Sequence, residues 1–325
     1  MPTTIYESFT QALHGFRECG IQVEVRGKSS GKYTHDSEPP NCAIGIPLKH
    51  WTEMAEKCLE KHKHDLAAKY LPEIRDTIEF KSEADVVKAS ALYLIQPVED
   101  AYRLAHPGDI CLDELTKGSS SRVDSAYFSG PPDNKQAPGS SSNIFTVLEY
   151  KKFKSLSRKH FKFGIVSEYK HYRNAQEIPR FADTDSNTEI ILKQATHYSW
   201  AFGTPFVALC DYNTLVLLFI NIEQDKKGGP HAYMTVVTDS REMRKAYLGF
   251  LLAARSYEER KTSWRLDKDG ADILATGEGW QRKFYSGTPV RNPERESRNK
   301  DEKKYLLPGS SDIDSDSSDT KIQSG

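Results

Sequence analysis

The stretch "PFVALCDYNTLVLLFINI", residues 205–222, constrains the fold more than any other part of the chain. Two apolar runs of strand length, "PFVALCD" and "TLVLLFINI", flank the turn dipeptide "YN", a pattern that demands a β-sheet. Three further segments have strand character. "SRVDSAYF" (121–128) alternates Val123, Ser125 and Tyr127 against Asp124, Ala126 and Phe128, and "IFTVLEY" (144–150) and "HAYMTVVT" (231–238) supply the others.

Helical patterns surround these runs. "WTEMAEKCLEKHKHDLAAKYLPEI" reads as an amphipathic helix with Trp51, Met54, Leu59, Leu66 and Leu71 as core candidates. In "KSEADVVKASALYLIQPVEDAYRLA", Ser82 is the expected N-cap, and Glu83 and Asp85 fall in the first turn, where the helix dipole favours acids. Pro97 is expected to break or kink this helix and to start a second one through Tyr102. "TEIILKQATHYSWAFG" reads as a helix ending at Gly203, with Pro205 beyond, and Asp239 or Ser240 would cap a last helix running through Tyr257. The order helix, strand, strand, helix, strand, strand, helix implies an α/β fold with one mixed central sheet flanked by helices.

Four regions are expected. Residues 1–81 form an N-terminal loop and helical region packed on a core that spans 82–260. A C-terminal extension covers 261–293, and an acidic, serine-rich tail covers 294–325. Residues 24–50 read as loop, and "SGPPDNKQAPGSSSN" (129–143) as a long turn or flexible loop. The tail's "GSSDIDSDSSDTKIQSG" has four aspartates, six serines and no aromatic residue, so it lacks the apolar surface to fold alone and is expected to be disordered. Its serines beside aspartates suit acidophilic kinases and make the tail a candidate site for a protein partner.

Net charge is −1, so any electrostatic function has to be local. Five cysteines without a Cys-x-x-Cys pair indicate neither a disulfide framework nor a cysteine-rich zinc site. With no apolar run of 18 residues and no apolar segment after a basic start, the expectation is an intracellular protein of nucleus or cytoplasm, away from membranes. Oligomeric state is left open.

The chemistry-bearing feature is "FTVLEYKKF" (145–153), a strand that ends in Glu149 with Lys151 two residues on. Asp124 lies 25 residues earlier on another strand, across a turn-rich loop. If the two strands pair antiparallel, Asp124 and Glu149 converge at the strand ends and offer oxygen donors to a hard divalent cation such as Mg²⁺ or Mn²⁺. Strand alternation places Lys151 on the face of Glu149, where an ammonium would position an attacking water and neutralise charge near a phosphate.

This order of residues resembles the PD-(D/E)xK nuclease superfamily. Its aspartate falls on Asp124 in "SRVDSAYF", and its Glu-x-Lys on Glu149, Tyr150 and Lys151. The glutamate that many members carry in the preceding helix falls on Glu83 in "SEADVV". The Gln-x-x-x-Tyr of the RecB-like branch falls on Gln194 and Tyr198. The interval from Lys151 to Gln194, 43 residues, is long for that branch, and Val123 stands where the motif's proline would precede the aspartate. The resemblance covers about Ser82 to Ile222. It implies a restriction-endonuclease-like core, metal-dependent cleavage of DNA or RNA, and catalytic roles for Asp124, Glu149, Lys151, Glu83, Gln194 and Tyr198. Asp124, Glu149 and Glu83 would be the metal ligands.

Plainer readings stand beside these. Glu83 would equally serve the helix dipole. Gln194 and Tyr198 share a helix face, and Tyr198 would equally be packing. The basic residues Lys152, Lys154, Arg158, Lys159 and Lys162, interleaved with phenylalanines, either contact a phosphate backbone or form a solvated face. If the segment is helical, Lys154, Arg158 and Lys162 form one stripe. The alternative to an enzyme is a catalytically inactive nuclease-like module that binds nucleic acid or protein. "RGKSSGK" lacks the first glycine of a phosphate loop, and His62, His64, His160, His171 and His197 have no zinc-ligand spacing.

Overall fold

Both apolar runs are strands buried on each face. In the computed structural model they are β8 (Phe206–Cys210) and β9 (Leu215–Asn221) of an eight-stranded mixed sheet. The structure describes residues 2–15, 17–18, 37–73, 79–117, 121–130, 143–166, 180–181, 186–221 and 231–260. The readings made for "RGKSSGK", the loop at 131–142, the C-terminal extension and the tail lie outside them.

The other strands of the large sheet are β2 (Ala43–Gly45), β4 (Ile110–Lys117), β5 (Ser121–Phe128), β6 (Ile144–Tyr150), β7 (Ile165–Val166) and β10 (His231–Val237). Their order across the sheet is β4-β5-β6-β8-β9-β10-β2-β7. The β5–β6, β8–β9 and β9–β10 pairs are antiparallel, whereas β6–β8, β10–β2 and β2–β7 are parallel. β1 (Arg17–Glu18) and β3 (Glu79–Phe80) pair separately.

Side-chain alternation assigns the two faces. Phe206, Ala208 and Cys210 join one core with Phe145, Trp51 and Phe250, while Val207 and Leu209 join the other with Leu192 and Phe202. The first core is covered by α2 (Leu48–Lys61), α4 (Glu83–Ser90), α5 (Gln96–Ala105) and α8 (Met243–Arg260). The second is covered by α6 (Arg158–Phe163) and α7 (Ser186–Phe202). Two short helices, α1 (Ile5–Ser8) and α3 (Lys63–Ala67), complete the described elements.

Several local signals act as expected. Ser82 caps α4, its N–H and hydroxyl both donating to Asp85 Oδ2, at 2.8 and 2.9 Å. Gly203 takes φ +69° and ends α7. Trp51, Leu59 and Leu66 are buried, and Met54 and Leu71 pack partly against the same core. At Pro97 the helix is not broken but passes through a π-turn at Ala91–Ile95 before α5 begins. Pro97 has no N–H to offer Tyr93 O four residues back, and Arg244 Nε donates to that carbonyl at 2.7 Å.

Three readings are corrected. The expected loop at 24–50 contains β2, inserted between β10 and β7. The basic segment is not one helix, because Lys154 sits at φ +61° in a turn and α6 begins only at Arg158, after its N-cap Ser157. Asp239 does not cap the last helix directly. Its side chain accepts the Arg241 N–H, and the helix starts at Met243. No helix among the described residues is long and apolar enough to cross a membrane.

Candidate functional site

β5 and β6 pair antiparallel with Ser125 opposite Leu148, so Asp124 and Glu149 stand together one residue beyond that pair. Asp124 Oδ2 accepts the Tyr150 N–H at 2.6 Å, which ties its carboxylate to the end of β6. Lys151 follows the last strand residue. Its N–H donates to Cys210 O on β8 at 2.8 Å, extending the parallel β6–β8 pairing by one step. Its Nζ reaches back to Glu149 Oε1 at 2.6 Å, with both side chains 12% exposed. From α7, Tyr198 donates its hydroxyl to the same Oε1 at 3.1 Å.

The electrostatics follow from this crowding. Burial pushes the Glu149 carboxyl up to about 7, opposed by the Lys151 charge and reinforced by Asp124. Burial also raises Asp124, against the pull of the Tyr150 N–H and then of Lys151. Tyr198 is pushed up by burial and by the Glu149 charge, so its phenol stays a donor. Glu83 is exposed as a residue, yet its carboxylate accepts the Lys152 backbone N–H. Partial burial of that end raises it, against the pull of Lys151.

Asp124, Glu149, Lys151, Tyr198 and Glu83 therefore gather where α4 begins and β5 and β6 meet. Gln194 is half-buried one turn before Tyr198 on the same face of α7. Lys152 is half-buried, while Lys154, Arg158, Lys159 and Lys162 are exposed. Arg158 and Lys162 share a face of α6, and Lys154 is separate from them.

Asp124 and Glu149 are hard oxygen donors, and crowding of their charges is what a divalent cation would relieve. Among the described residues no three His, Cys, Asp or Glu side chains are gathered closely enough to enclose a metal ion. The pair, with Glu83 at its rim, fits an ion that keeps much of its water shell, as Mg²⁺ does.

Two residues of the site have no counterpart in the sequence reading. Asp211, wholly buried in the β8–β9 turn, accepts the backbone N–H groups of Leu156, Asn213 and Thr214 at 2.8, 3.0 and 2.7 Å. It thereby pins the loop that follows Lys151. Burial pushes its carboxyl up to about 7, against those N–H donors. An aspartate heading a turn is a known signal, but nothing local announces that its partner is Leu156. Arg122, two residues before Asp124 on β5, places a second cation within electrostatic reach of Asp124 and Glu83. Phe153 stacks on Phe80 with ring centroids 4.3 Å apart, holding the basic loop beside the start of α4.

No family model, no curated protein and no solved structure matches this chain.

Proposed function

We propose that the chain is a Mg²⁺-dependent nuclease with a restriction-endonuclease-like core, hydrolysing phosphodiester bonds of DNA or RNA. One observation carries this reading. Asp124 and Glu149 stand side by side on neighbouring strands, with Lys151 Nζ 2.6 Å from Glu149 and Tyr198 closing from the helix above.

Asp124 and Glu149 would hold the cation, Mg²⁺ or Mn²⁺, with Glu83 supporting it directly or through water. When bound, such an ion polarises the phosphate and offsets the charge that develops during in-line displacement. The Lys151 ammonium orients the attacking water and adds positive charge beside the phosphate. Tyr198 fixes the orientation of the Glu149 carboxylate, and Gln194 orients the substrate or Lys151. Lys152, Lys154, Arg158, Lys159 and Lys162 contact the phosphate backbone without reading bases. Cleavage of generic single- and double-stranded DNA and RNA with Mg²⁺ or Mn²⁺ tests this. Wild type should turn over and Lys151→Ala should not; equal background in both would end the enzyme reading.

A second reading, an inactive nuclease-like module that binds nucleic acid or protein, is favoured by a different observation. Lys151 and Tyr198 both bond Glu149 Oε1, the oxygen a cation would have to share. Calorimetry with Mn²⁺ separates the two: a competent site yields a binding heat that Asp124→Ala abolishes. The acidic tail is a candidate platform for a protein partner in either case.

A further inference from the structure

Arg244 is a buried cation without a buried anion. It is the second residue of α8 and only 2% exposed, yet no carboxylate pairs with it among the described residues. Its Nε donates to Tyr93 O at 2.7 Å, and its Nη1 to Ser8 O at 2.7 Å and Gln11 O at 3.1 Å. Those carbonyls explain why it is tolerated. Tyr93 O is the one Pro97 leaves without its usual donor, while Ser8 is the last residue of α1 and Gln11 lies three residues beyond it, so their carbonyls face the end of that helix where a positive charge is favoured. They do not neutralise the charge. Burial pulls the guanidinium down to about 10, so it is still charged at neutral pH. Its Nη2 makes no hydrogen bond among the described residues.

Arg244 lines a cleft of about 620 Å³, within the size range of small-molecule sites. Pro2, Ala12, Leu71 and Pro72 make part of the remaining wall apolar, beside Thr3, Gln11, His14 and Glu73. The cleft shares no residue with the Glu149 cluster.

We propose that this cleft binds a small monocarboxylate with an apolar body, its carboxylate on Arg244 Nη2 and its body along the apolar wall. Charge, more than donor geometry, selects the head group. Nε and Nη1 are committed to carbonyls, so the two-nitrogen fork that grips carboxylate and phosphate alike is blocked and Nη2 alone remains to donate. A single charge suits one cation, whereas a phosphate dianion would stay half-neutralised with Glu73 in the same wall. The unneutralised guanidinium supplies the reason for an anion to enter at all.

The test uses the full chain with benzoate and hexanoate as probes, against the neutral amides benzamide and hexanamide and against inorganic phosphate. Melting curves and calorimetry are read for each. The carboxylates should raise the melting temperature by about 2–5 °C at ten times their dissociation constant, and the amides and phosphate should leave it unchanged. Ala12→Trp fills the cleft from an exposed position. It should weaken carboxylate binding at least roughly tenfold while leaving the unliganded melting temperature in place. The contrast between carboxylate and amide on the wild-type protein decides even if that variant folds poorly. Equal shifts with amide and carboxylate, a response to phosphate alone, no response at all, or full affinity in a folded Ala12→Trp would each overturn the proposal.

Discussion

Glu149 Oε1 receives two donors at once, the Lys151 ammonium and the Tyr198 hydroxyl. This arrangement makes its protonation measurable. Its carboxyl is held at about 7 rather than near 4.5, so folding favours the protonated form. The associated stability is present below pH 4.5 and is lost as pH rises through 7. Wild type should therefore lose on the order of 2–3 kcal/mol relative to Glu149→Gln between pH 4.5 and 8. Urea denaturation of both proteins at several pH values checks this, and parallel profiles would contradict the assignment. Tyr198→Phe removes a bond that favours the carboxylate, so it should move the Glu149 titration further upward in a carboxyl-resolved NMR experiment. At this scale much of the site could be read from the sequence. The positions of Asp124, Glu149 and Lys151 follow from strand pairing and alternation, whereas helical spacing puts Tyr198 on one face with Gln194 without bringing it to Glu149. The role of Asp211 could not be read, because its carboxylate meets Leu156, 55 positions away along the chain.

Among the elements, the segment after β6 behaves least as its composition suggests. Its phenylalanines and lysines fit a helix. The peptide instead turns at Lys154 because Leu156 N–H is claimed by Asp211 and Ser157 caps a new helix. Asp211→Asn would point an amide donor at one of these N–H groups. It should cost about 1–3 kcal/mol and speed amide exchange at Leu156, Asn213 or Thr214. Unchanged exchange there would mean the carboxylate does not hold the loop. The same turn alters what the basic residues should do on nucleic acid. Arg158 and Lys162 share one face, so Arg158→Ala with Lys162→Ala should lower the log–log salt slope of binding by roughly 1.4–1.8. Lys154→Ala should act independently of that pair. Affinity titrations at several salt concentrations check this, and an unchanged slope would mean the segment is only a solvated face.

The whole molecule depends on its N-terminal part more than the sequence pattern conveys. Ala43–Gly45 lie inside the sheet, and Trp51 Nε1 donates to Thr235 Oγ1 on β10 at 2.7 Å. α2 and α8 approach so closely that a Cβ on Gly249 would lie 1.9 Å from Trp51 O. Gly249→Ala should therefore destabilise by about 2–4 kcal/mol, seen as a fall in the melting temperature. A near-neutral result would mean the two helices part easily. A fragment covering only 82–260 should not give a cooperative melting transition. The short strand β2 escaped sequence reading because three residues carry no period, and its place is set only by partners far along the chain.

That separation has a consequence during synthesis. Trp51 and Thr235 are 184 residues apart, so at roughly 5–20 residues per second the ribosome leaves Trp51 without its partner strand for about 10–40 s. For that interval the nascent chain presents the apolar faces of β2 and α2 to the cell. Its yield should therefore depend on whatever shields them until β10 emerges.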